Sequence, residues 1–252
     1  MTRGLYISGT GMMLQRRQME ITTNNIANAD TTGYKKDYLL SHSFDSVLVK
    51  RINDNTTTVS GIRNVGPMHL GTQVDQKHID FTEGNIETTL RNTDLALIGD
   101  AFFVIGTTEG ERFTKNGAFY VDNEGYLVDG NANFLLGQNG PIYVGGTNFT
   151  VSELGVITID NQVVDTIRVV SFNDNQTLRK QGSSLFFATE APMAQTNTFR
   201  MLQGSLEASN VEIGREMVNM LTLYRTYETN QRMITLIDES VGRAVNDIGR
   251  LR

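Results

Sequence analysis

The chain of 252 residues contains no cysteine, no tryptophan and only three prolines. Without cysteine it can form no disulfide, no thiolate zinc site and no cysteine nucleophile. It also lacks any apolar run long enough to cross a bilayer, so we expect no membrane insertion. The formal net charge of −6 disfavours nucleic acid as a partner.

No catalytic or metal-binding motif is present either. The three histidines are His42, His69 and His78, and none of them has HExxH or i,i+4 spacing. No GxSxG elbow occurs. We therefore predict a protein that is not an enzyme and has no catalytic residues, no metal and no cofactor. One alternative is that His78 and Asp80 form a metal pair or half of a triad, although a strand with two outward polar side chains is favoured.

A second alternative is a cell-wall glycan hydrolase, which would need a pair of carboxylates in a cleft. The sequence offers many acids without singling out a pair, including Asp94, Asp100, Asp122 and Asp129. The stretch from Asp122 to Gly125 has a weak likeness to a calcium loop. It lacks the alternating ligands and the closing glutamate of such a loop, so we interpret it as a hairpin turn.

The first residues lack the continuous apolar core of a cleaved signal peptide, because Ser8, Gly9, Thr10 and Gly11 interrupt it. If the protein leaves the cytoplasm, we expect it to do so without such a signal. The glycines Gly4, Gly9 and Gly11 do not follow a strand, so they do not form a phosphate loop. Small residues at these positions instead allow close contacts between helices.

The C-terminal residues follow a seven-residue apolar repeat that no proline interrupts. One column contains Ile213, Met220, Tyr227, Ile234, Val241 and Ile248. The second column contains Met217, Tyr224, Gln231, Asp238 and Val245. This is the a and d pattern of a coiled coil, so a long C-terminal helix with a packing seam is predicted. Ser209 and Glu212 have the spacing of a capping box, and Glu216 lies near the positive end of the helix.

The N-terminal residues carry two apolar columns with the same spacing. One contains Leu5, Met12, Met19 and Ile26, and the other contains Ile7, Leu14 and Ile21. Positions two apart lie on nearly opposite faces of a helix, so the helix predicted from Arg3 to Ala27 is apolar on two sides. Two apolar sides suggest a helix that also contacts other subunits.

The middle of the chain changes to a period of two, with short β-prone runs between glycine-rich turns. We predict an α+β protein in which the N- and C-terminal helices pair as a coiled-coil-like unit and an antiparallel all-β domain is inserted between them. The predicted parts are an N-terminal helix and motif at 1–35, an extended linker at 36–68, an all-β outer domain at 69–200 and a C-terminal helix at 201–252, which packs with 1–35.

Three asparagines mark the end of the first helix, and Asn24 shares a helix face with Asn28. Ordinary helix termination explains Asn28. For Asn24 and Asn25 two interpretations stay open: helix termination, or a buried polar contact that fixes the register of packing.

The segment Thr23-Asn24-Asn25-Ile26-Ala27-Asn28-Ala29-Asp30-Thr31-Thr32-Gly33-Tyr34-Lys35 strongly resembles the N-terminal motif of bacterial flagellar rod and hook proteins, A-N-N-x-A-N-x-x-T-x-G-[FY]-K, with Thr23 in place of the common alanine. The segments Gly204–Val211, Glu216–Met220 and Arg225–Asn230 resemble the C-terminal motif of that family. The segments Phe81–Asn85, Asp94–Leu97, Phe102–Val104 and Phe113–Phe119 resemble its outer domain.

This resemblance implies a structural subunit of the flagellar basal body that stacks helically through its termini around an inner tube. It implies as partners further copies of this chain, other rod or hook subunits and the flagellar type III export apparatus. Whether the chain is a proximal or a distal rod protein stays open, because Gly137–Ile142 and Gly242–Ala244 favour the first and Glu216–Asn230 the second.

The residues expected to carry assembly come from the two ends of the chain. At the N-terminal end they are Leu5, Met12, Met19, Ile26, Asn24, Asn25, Asn28, Gly33 and Tyr34. At the C-terminal end they are Asn210, Ile213, Met217, Met220, Tyr224, Tyr227, Ile234, Val241 and Ile248.

Overall fold

The structure is a computed structural model that describes residues 2–52, 62–182, 184–188 and 199–249. Within these ranges, the side chains of residues 2, 51–52, 62–64 and 247–249 lie outside the description. The side chain of Ile248, predicted as an assembly residue, is therefore outside the described part of the chain.

In the sequence, one long helix precedes all the strands and a second long helix follows them. The helices are α1 (Thr2–Ala27) and α2 (Ile213–Gly249). The strands are β1 (Asp37–Ser43), β2 (Val47–Ile52), β3 (Ile62–Met68), β4 (Thr72–Ile79), β5 (Ile86–Thr88), β6 (Leu95–Ile98), β7 (Ala101–Thr107), β8 (Gly110–Thr114), β9 (Tyr120–Val121), β10 (Leu127–Val128), β11 (Phe134–Leu135), β12 (Thr150–Val151), β13 (Val156–Ile159), β14 (Gln162–Thr166), β15 (Val169–Ser171), β16 (Leu178–Gln181), β17 (Leu185–Ala188), β18 (Arg200–Gln203) and β19 (Ser205–Glu207).

The chain divides into two compact units. One unit, which we call the helix unit, contains Met1–Asn24, Asp37–His78 and Gly214–Arg252. The other, which we call the β body, contains Asn25–Lys36 and Ile79–Ile213. The last residues of α1 and the first residue of α2 therefore belong to the β body.

In the helix unit, α1 and α2 pack together in antiparallel directions. A Cβ atom added to Gly4 would lie 2.9 Å from Ile237 Cδ1, and one added to Gly11 would lie 3.1 Å from Asn230 Nδ2. Each step of seven residues forward on α1 thus meets a step of seven backward on α2. In the same unit, β1 pairs with β4 and β2 pairs with β3.

The β body is organised around β7, which pairs antiparallel with β8, β11 and β15. Side chains alternate across a strand, so successive residues of β7 enter two different cores. Phe103 and Ile105 lie in the larger core, with residues such as Phe119, Leu127 and Ile157. Phe102 and Val104 lie in a second, aromatic core that contains Phe113, Phe172 and Phe186.

The remaining strands extend this arrangement. The sheet that contains β7 runs in the order β16-β17-β8-β7-β11-β10-β9, with β15 also paired to β7. A three-stranded sheet has the order β12-β13-β14, and two further pairs join β18 to β6 and β19 to β5. The last two pairs bring residues from before and after the large sheet together, because β5 and β6 precede β7 while β18 and β19 follow β17.

The predicted fold class is confirmed: terminal helices pack together and an antiparallel β domain lies between them in the sequence. The helix predicted from Arg3 to Ala27 is α1. The capping box predicted at Ser209 is wrong, because α2 begins at Ile213 and Ser209 Oγ instead accepts a hydrogen bond from the N–H of Val211. The acidic residue predicted in the first turn of α2, Glu216, is there.

The predicted bounds of the four parts stay a prediction, but the elements inside them differ from the expected pattern. Residues 36–68, expected to be an extended linker, contain β1, β2 and β3. Residues 201–212, expected to open the C-terminal helix, contain most of β18 and all of β19. Those strands alternate buried and less buried side chains, as at Ser205, Leu206 and Glu207, so their local period is that of a strand.

Candidate functional site

The N-terminal motif ends α1, and four of its residues are buried: Asn25, Gly33, Tyr34 and Lys35. Asn25 Oδ1 accepts a hydrogen bond of 3.2 Å from the hydroxyl of Tyr34, and both side chains are 1% exposed. The N–H of Gly33 donates to the carbonyl of Glu207 at 2.7 Å. Gly33 has φ of +65°, and a Cβ there would lie 2.5 Å from the backbone nitrogen of Asn116, so only glycine fits.

A buried ion pair joins the two motifs. Lys35 Nζ lies 2.6 Å from Glu207 Oε1, with both side chains almost completely buried. Lys35 also donates to the carbonyl of Thr82, and the same Glu207 oxygen accepts from the N–H of Gly84. A buried pair of this kind adds little net stability over an apolar pair, but removing one partner leaves an uncompensated charge.

The side chain of Asn210 forms hydrogen bonds with two segments of the chain near this ion pair. Its Oδ1 accepts from the N–H of Lys36 at 2.7 Å, and its Nδ2 donates to the carbonyl of Asp80 at 2.9 Å. Lys180 Nζ lies 3.7 Å from the centre of the Tyr34 ring and donates to the carbonyl of Lys35. We call the following residues the junction cluster: Asn25, Gly33, Tyr34, Lys35, Lys180, Glu207 and Asn210.

Lys115 extends the charged environment of the junction cluster and was not predicted as a site residue. Its Nζ donates to the carbonyls of Leu97 at 3.3 Å and Gly99 at 2.5 Å. Burial lowers the pKa of Lys115 to about 8, and the charge of Glu207 acts against this lowering. Lys115 lies in the segment Phe113–Phe119, whose resemblance to the family's outer domain is the signal in the sequence that could have identified it.

One face of α1 is made of small and polar side chains, and Gly4, Gly11 and Gln15 on this face meet α2. Residues spaced alternately by four and three are half-buried or buried along it: Gly4, Ser8, Gly11, Gln15, Gln18, Thr22 and Asn25. Gln15 Oε1 accepts a hydrogen bond of 3.1 Å from Asn230 Nδ2 across the helix pair. The two predicted apolar columns flank this stripe at about 80° to either side, at 100° of rotation per residue.

The N-terminal residues predicted for assembly fall into three environments. Half-buried on one flank of the stripe are Leu5, Met12, Met19 and Ile26. Buried in the β body are Asn25, Gly33 and Tyr34. The predicted buried polar contact is therefore present for Asn25, whereas Asn24 is exposed and Asn28 half-buried.

On α2 the first predicted column lies along the helix pair, and the second faces away from it. Half-buried members of the first column are Met220, Tyr227, Ile234 and Val241, while Ile213 is exposed. Every member of the second column is exposed: Met217, Tyr224, Gln231, Asp238 and Val245. The covered second column is instead displaced by one residue and contains Leu223, Asn230, Ile237 and Ala244.

This displacement leaves an apolar face on α2. Met217, Leu221 and Tyr224 have the i, i+4, i+7 spacing of one helix face and are 52%, 60% and 61% exposed. No described residue of the chain covers these side chains. On the opposite flank, three exposed threonines donate only to their own helix: Thr222, Thr226 and Thr229.

The alternative sites found in the sequence have ordinary structural surroundings. The ring of His78 stacks on Tyr38 at 5.7 Å, and Asp80 Oδ1 accepts from the N–H of Thr82. In the described part of the chain, no three His, Cys, Asp or Glu side chains are placed to share a metal ion. Neither described helix combines the length and the hydropathy needed to cross a bilayer.

Comparison with known proteins identifies three matching family models. Residues 5–35 match a flagella basal body rod protein model, and residues 96–167 match the D1 domain of flagellar hook protein FlgE/F/G. Residues 202–247 match the C-terminal region of flagellar basal body rod FlgEFG proteins. The first and last matches contain the residues of the junction cluster except Lys180.

Full-length relatives agree with these matches. The flagellar hook-basal body complex protein FlhO of Bacillus subtilis is 30% identical over 270 residues, covering 100% of both chains. The flagellar basal-body rod protein FlgF of Caulobacter vibrioides is 30% identical over 263 residues, again with 100% of both chains covered. The rod protein FlgG of Bacillus subtilis is 30% identical over 272 residues, covering 98% of this chain and 99% of FlgG.

The chain thus combines a pair of terminal helices that has an exposed apolar face with a β body in which buried polar contacts hold the two terminal motifs together. Such features are typical of a structural protein that assembles. The chain belongs to the family of bacterial flagellar rod and hook-basal body proteins. It is a structural member of that family, and its place is the flagellar basal body.

Proposed function

We propose that this chain is a subunit of the flagellar rod that stacks helically through its terminal helices, so that the assembled subunits form the axial drive shaft and enclose the export channel. Its partners would be further copies of this chain and other rod or hook subunits. It would be delivered by the flagellar type III export apparatus without a cleaved signal peptide. Relatives named as FlgF and as FlgG are equally similar, so the proposal does not choose between proximal and distal positions.

The observation that carries this proposal is the apolar face of α2. Met217, Leu221 and Tyr224 form one side of the helix, and their exposed area is on a helix whose other side is already packed against α1. Exposed apolar patches on a regular element mark sites of association. Because the face runs along the helix axis, it fits a neighbouring helix with the same seven-residue repeat.

The test replaces one residue on this face and one on the threonine flank of the same helix. Leu221→Asp places a charge in the proposed contact, where its burial would be costly. Thr226→Asp places the same charge on the opposite flank, where Thr226 is exposed and bonds only within α2. Each variant replaces the natural protein in cells, and swimming in soft agar and the length of rods in isolated basal bodies are measured.

We expect the Leu221→Asp protein to be made and exported but not to complete a rod, so the cells do not swim. Thr226→Asp cells should swim. Normal swimming with Leu221→Asp would show that the apolar face of α2 is not a contact between subunits. Loss of swimming with both variants to the same degree would show that the helix tolerates no new charge and that the face is not special.

A further inference from the structure

The β body carries an open groove that its own side chains leave unfilled. The groove has a volume of about 620 Å³ and lies between the loop 143–148 and the hairpin formed by β13 and β14. A second groove of about 420 Å³ is lined by the segment 90–93, Tyr120 and Val121. Thr147 lines both, so the two grooves adjoin. Volumes of this size are typical of sites for small molecules.

Each groove contains an exposed tyrosine ring. Tyr143 is 53% exposed in the first groove, and Tyr120 is 47% exposed in the second. In the second groove the guanidinium of Arg91 lies over the Tyr120 ring, 5.2 Å from its centre, so of the two rings only that of Tyr143 has no cation from the described residues over it. An aromatic side chain with a free face in a concave site is suited to a ligand that has an apolar face and a polar edge.

The ring of Tyr143 is held in place by its surroundings. It forms a T-shaped pair with Tyr126, with ring centres 5.4 Å apart and ring planes at 73°. One part of the ring lies against the backbone of Gly125, where an added Cβ would be 2.8 Å from Cε2, and another lies over Gly145. Both glycines have positive φ, +90° and +64°. The two glycines let the ring lie against the backbone, and this fixes the direction of its free face.

The polar groups of the first groove are neutral apart from one carboxylate. The amides of Asn148 and Gln162 line it, are exposed, and make no hydrogen bond with any described residue. Asp160 is its only charged lining residue. The groove therefore offers two amides that both donate and accept, and it offers no cation to an acidic ligand.

The wall between the two grooves is fixed by hydrogen bonds. Asn92 Nδ2 donates to the carbonyl of Thr147 at 3.2 Å. Gln203 Nε2 donates to the carbonyls of Asn92 and Phe149 at 2.8 and 3.0 Å. Thr147 and the adjoining wall of the first groove are thus tied in place, which lowers the conformational cost of binding a ligand there.

We propose that the first groove binds a neutral oligosaccharide, with one pyranose ring stacked on Tyr143. A pyranose presents C–H groups on one face and hydroxyl groups at its edge. This matches an aromatic ring with amides beside it. An acidic sugar chain is disfavoured in the first groove by Asp160. This binding is independent of the role of the helices in the rod.

The test is a titration of the full chain with two neutral tetrasaccharides, one of N-acetylglucosamine and one of glucose, and with a sulfated tetrasaccharide as the acidic comparison. Amide signals of Gly145, Gly146 and Gln162 are followed by NMR up to roughly 10 mM, which nearly saturates a site with a dissociation constant of about 1 mM. We expect a neutral probe to shift these signals and the sulfated probe to leave them unchanged. The better of the two neutral probes identifies the sugar.

Three variants decide whether the ring is responsible. Tyr143→Ala should weaken binding about tenfold or more, while Tyr143→Phe keeps the ring and should keep most of the affinity. Tyr38→Ala removes an exposed tyrosine of the helix unit and should change nothing. The proposal is wrong if neither neutral probe shifts the groove signals. It is also wrong if Tyr143→Ala binds sugar normally. If the natural chain binds no sugar and Tyr143→Ala blocks rod assembly, the groove is a contact with another protein instead.

Discussion

In the β body the large side chains at the centre are buried to completion, whereas in the helix unit large apolar side chains remain in solvent. Phe102, Phe103, Phe119 and Phe186 are all 0% exposed. By contrast, α2 leaves Leu221 at 60% and Tyr224 at 61% exposed. The covered stripe of α1 is meanwhile built from small and polar residues, which bury little apolar area.

This contrast separates stability held within the chain from stability that depends on neighbours. A core of interlocking aromatic rings, such as Phe103 and Phe119 at 5.3 Å, contributes its burial to the single chain. Helices derive most of their stability from packing, and a helix with an uncovered apolar face has packing still to gain. The β body is therefore the part expected to be stable in a free subunit, and the helix unit the part expected to gain from assembly.

The largest effect is expected at the ion pair of the junction cluster. Glu207→Gln removes the charge that compensates Lys35, with both groups inside the β body. We expect the free energy of unfolding of the β body to fall by about 3–5 kcal/mol. The measurement is chemical denaturation followed by near-ultraviolet circular dichroism, which reports the aromatic cores.

The matched control is Glu111→Gln, which removes one partner of the Arg168–Glu111 pair, in which both side chains are partly exposed. Its loss should stay within about 1 kcal/mol. Replacing both Lys35 and Glu207 by methionine should restore part of the lost stability, because no charge is then left alone. An equal loss for Glu207→Gln and Glu111→Gln would contradict the structural role of the buried pair.

A smaller effect is expected from the titration of Lys115. Burial lowers the pKa of its ammonium group in the folded protein to about 8, from the ordinary value of 10.5 for a lysine. Between these two pH values the unfolded chain binds more protons than the folded one, so stability rises with pH. Below pH 8 both states are protonated, and the contribution of Lys115 does not change.

The rise from Lys115 amounts to about 3 kcal/mol over this window, at about 1.4 kcal/mol per pH unit. The charged groups that act on it are Glu207, Lys35, Glu83 and Asp100. Other groups also titrate here, so the quantity to measure is the difference between the natural chain and Lys115→Met. Lys77→Met, which removes a half-exposed lysine, is the control and should leave the slope intact. A Lys115→Met slope equal to that of the natural chain would show that the folded pKa is not lowered.

The sequence was sufficient to predict the helices and the class of the β region, because both depend on local periods. The apolar columns Leu5–Ile26 and Ile7–Ile21 are local periodic features of the same kind, and their part in assembly stays a prediction. Between the columns, the close helix contacts predicted for the glycines are present at Gly4 and Gly11, whereas nothing lies near Gly9. The sequence did not extend them to a continuous stripe, because polar residues such as Ser8 and Gln15 carry no hydrophobic signal. Where two helix backbones come closest, there is room only for small side chains, so the centre of contact is the least apolar part of the face.

The seam of α2 shows the same limit in another form. Starting from Ile213, steps of seven with an offset of four lead to Met217 and Tyr224, while an offset of three leads to Glu216, Leu223 and Asn230. Both offsets occur in an a/d repeat, and the residue types favour the first. The structure covers the second, because α1 presents Gln15 there to bond with Asn230. A long-range contact such as the one between Lys35 and Glu207 likewise leaves no periodic pattern in the sequence from which it could be predicted.

Substitutions on the two faces of α2 should differ in their cost to helix stability by a few kcal/mol or less. Ile234 is half-buried in the helix pair, and Ile234→Asp should cost roughly 1–3 kcal/mol of helix stability in the free chain. Leu221→Asp changes an exposed position and should cost no more than about 0.5 kcal/mol. Helix melting at 222 nm and hydrogen exchange along α2 measure both, and the near-ultraviolet transition of the β body serves as the internal control. If Leu221→Asp melts the helices as much as Ile234→Asp, the face is already covered in the free chain.

The smallest effect compares two glycines of the same helix. An added Cβ at Gly9 meets nothing within 4 Å, so Gly9→Ala should stabilise α1 by up to about 1 kcal/mol through helix propensity alone. Gly11→Ala gains the same propensity, but its Cβ would lie 3.1 Å from Asn230 Nδ2 and would disturb the hydrogen bond from Asn230 to Gln15. We expect its net gain to be clearly smaller than that of Gly9→Ala, or reversed. The measurement is hydrogen exchange of the amides of α1 in dilute protein. Equal protection in the two variants would mean that α1 does not lie against α2 in the free subunit.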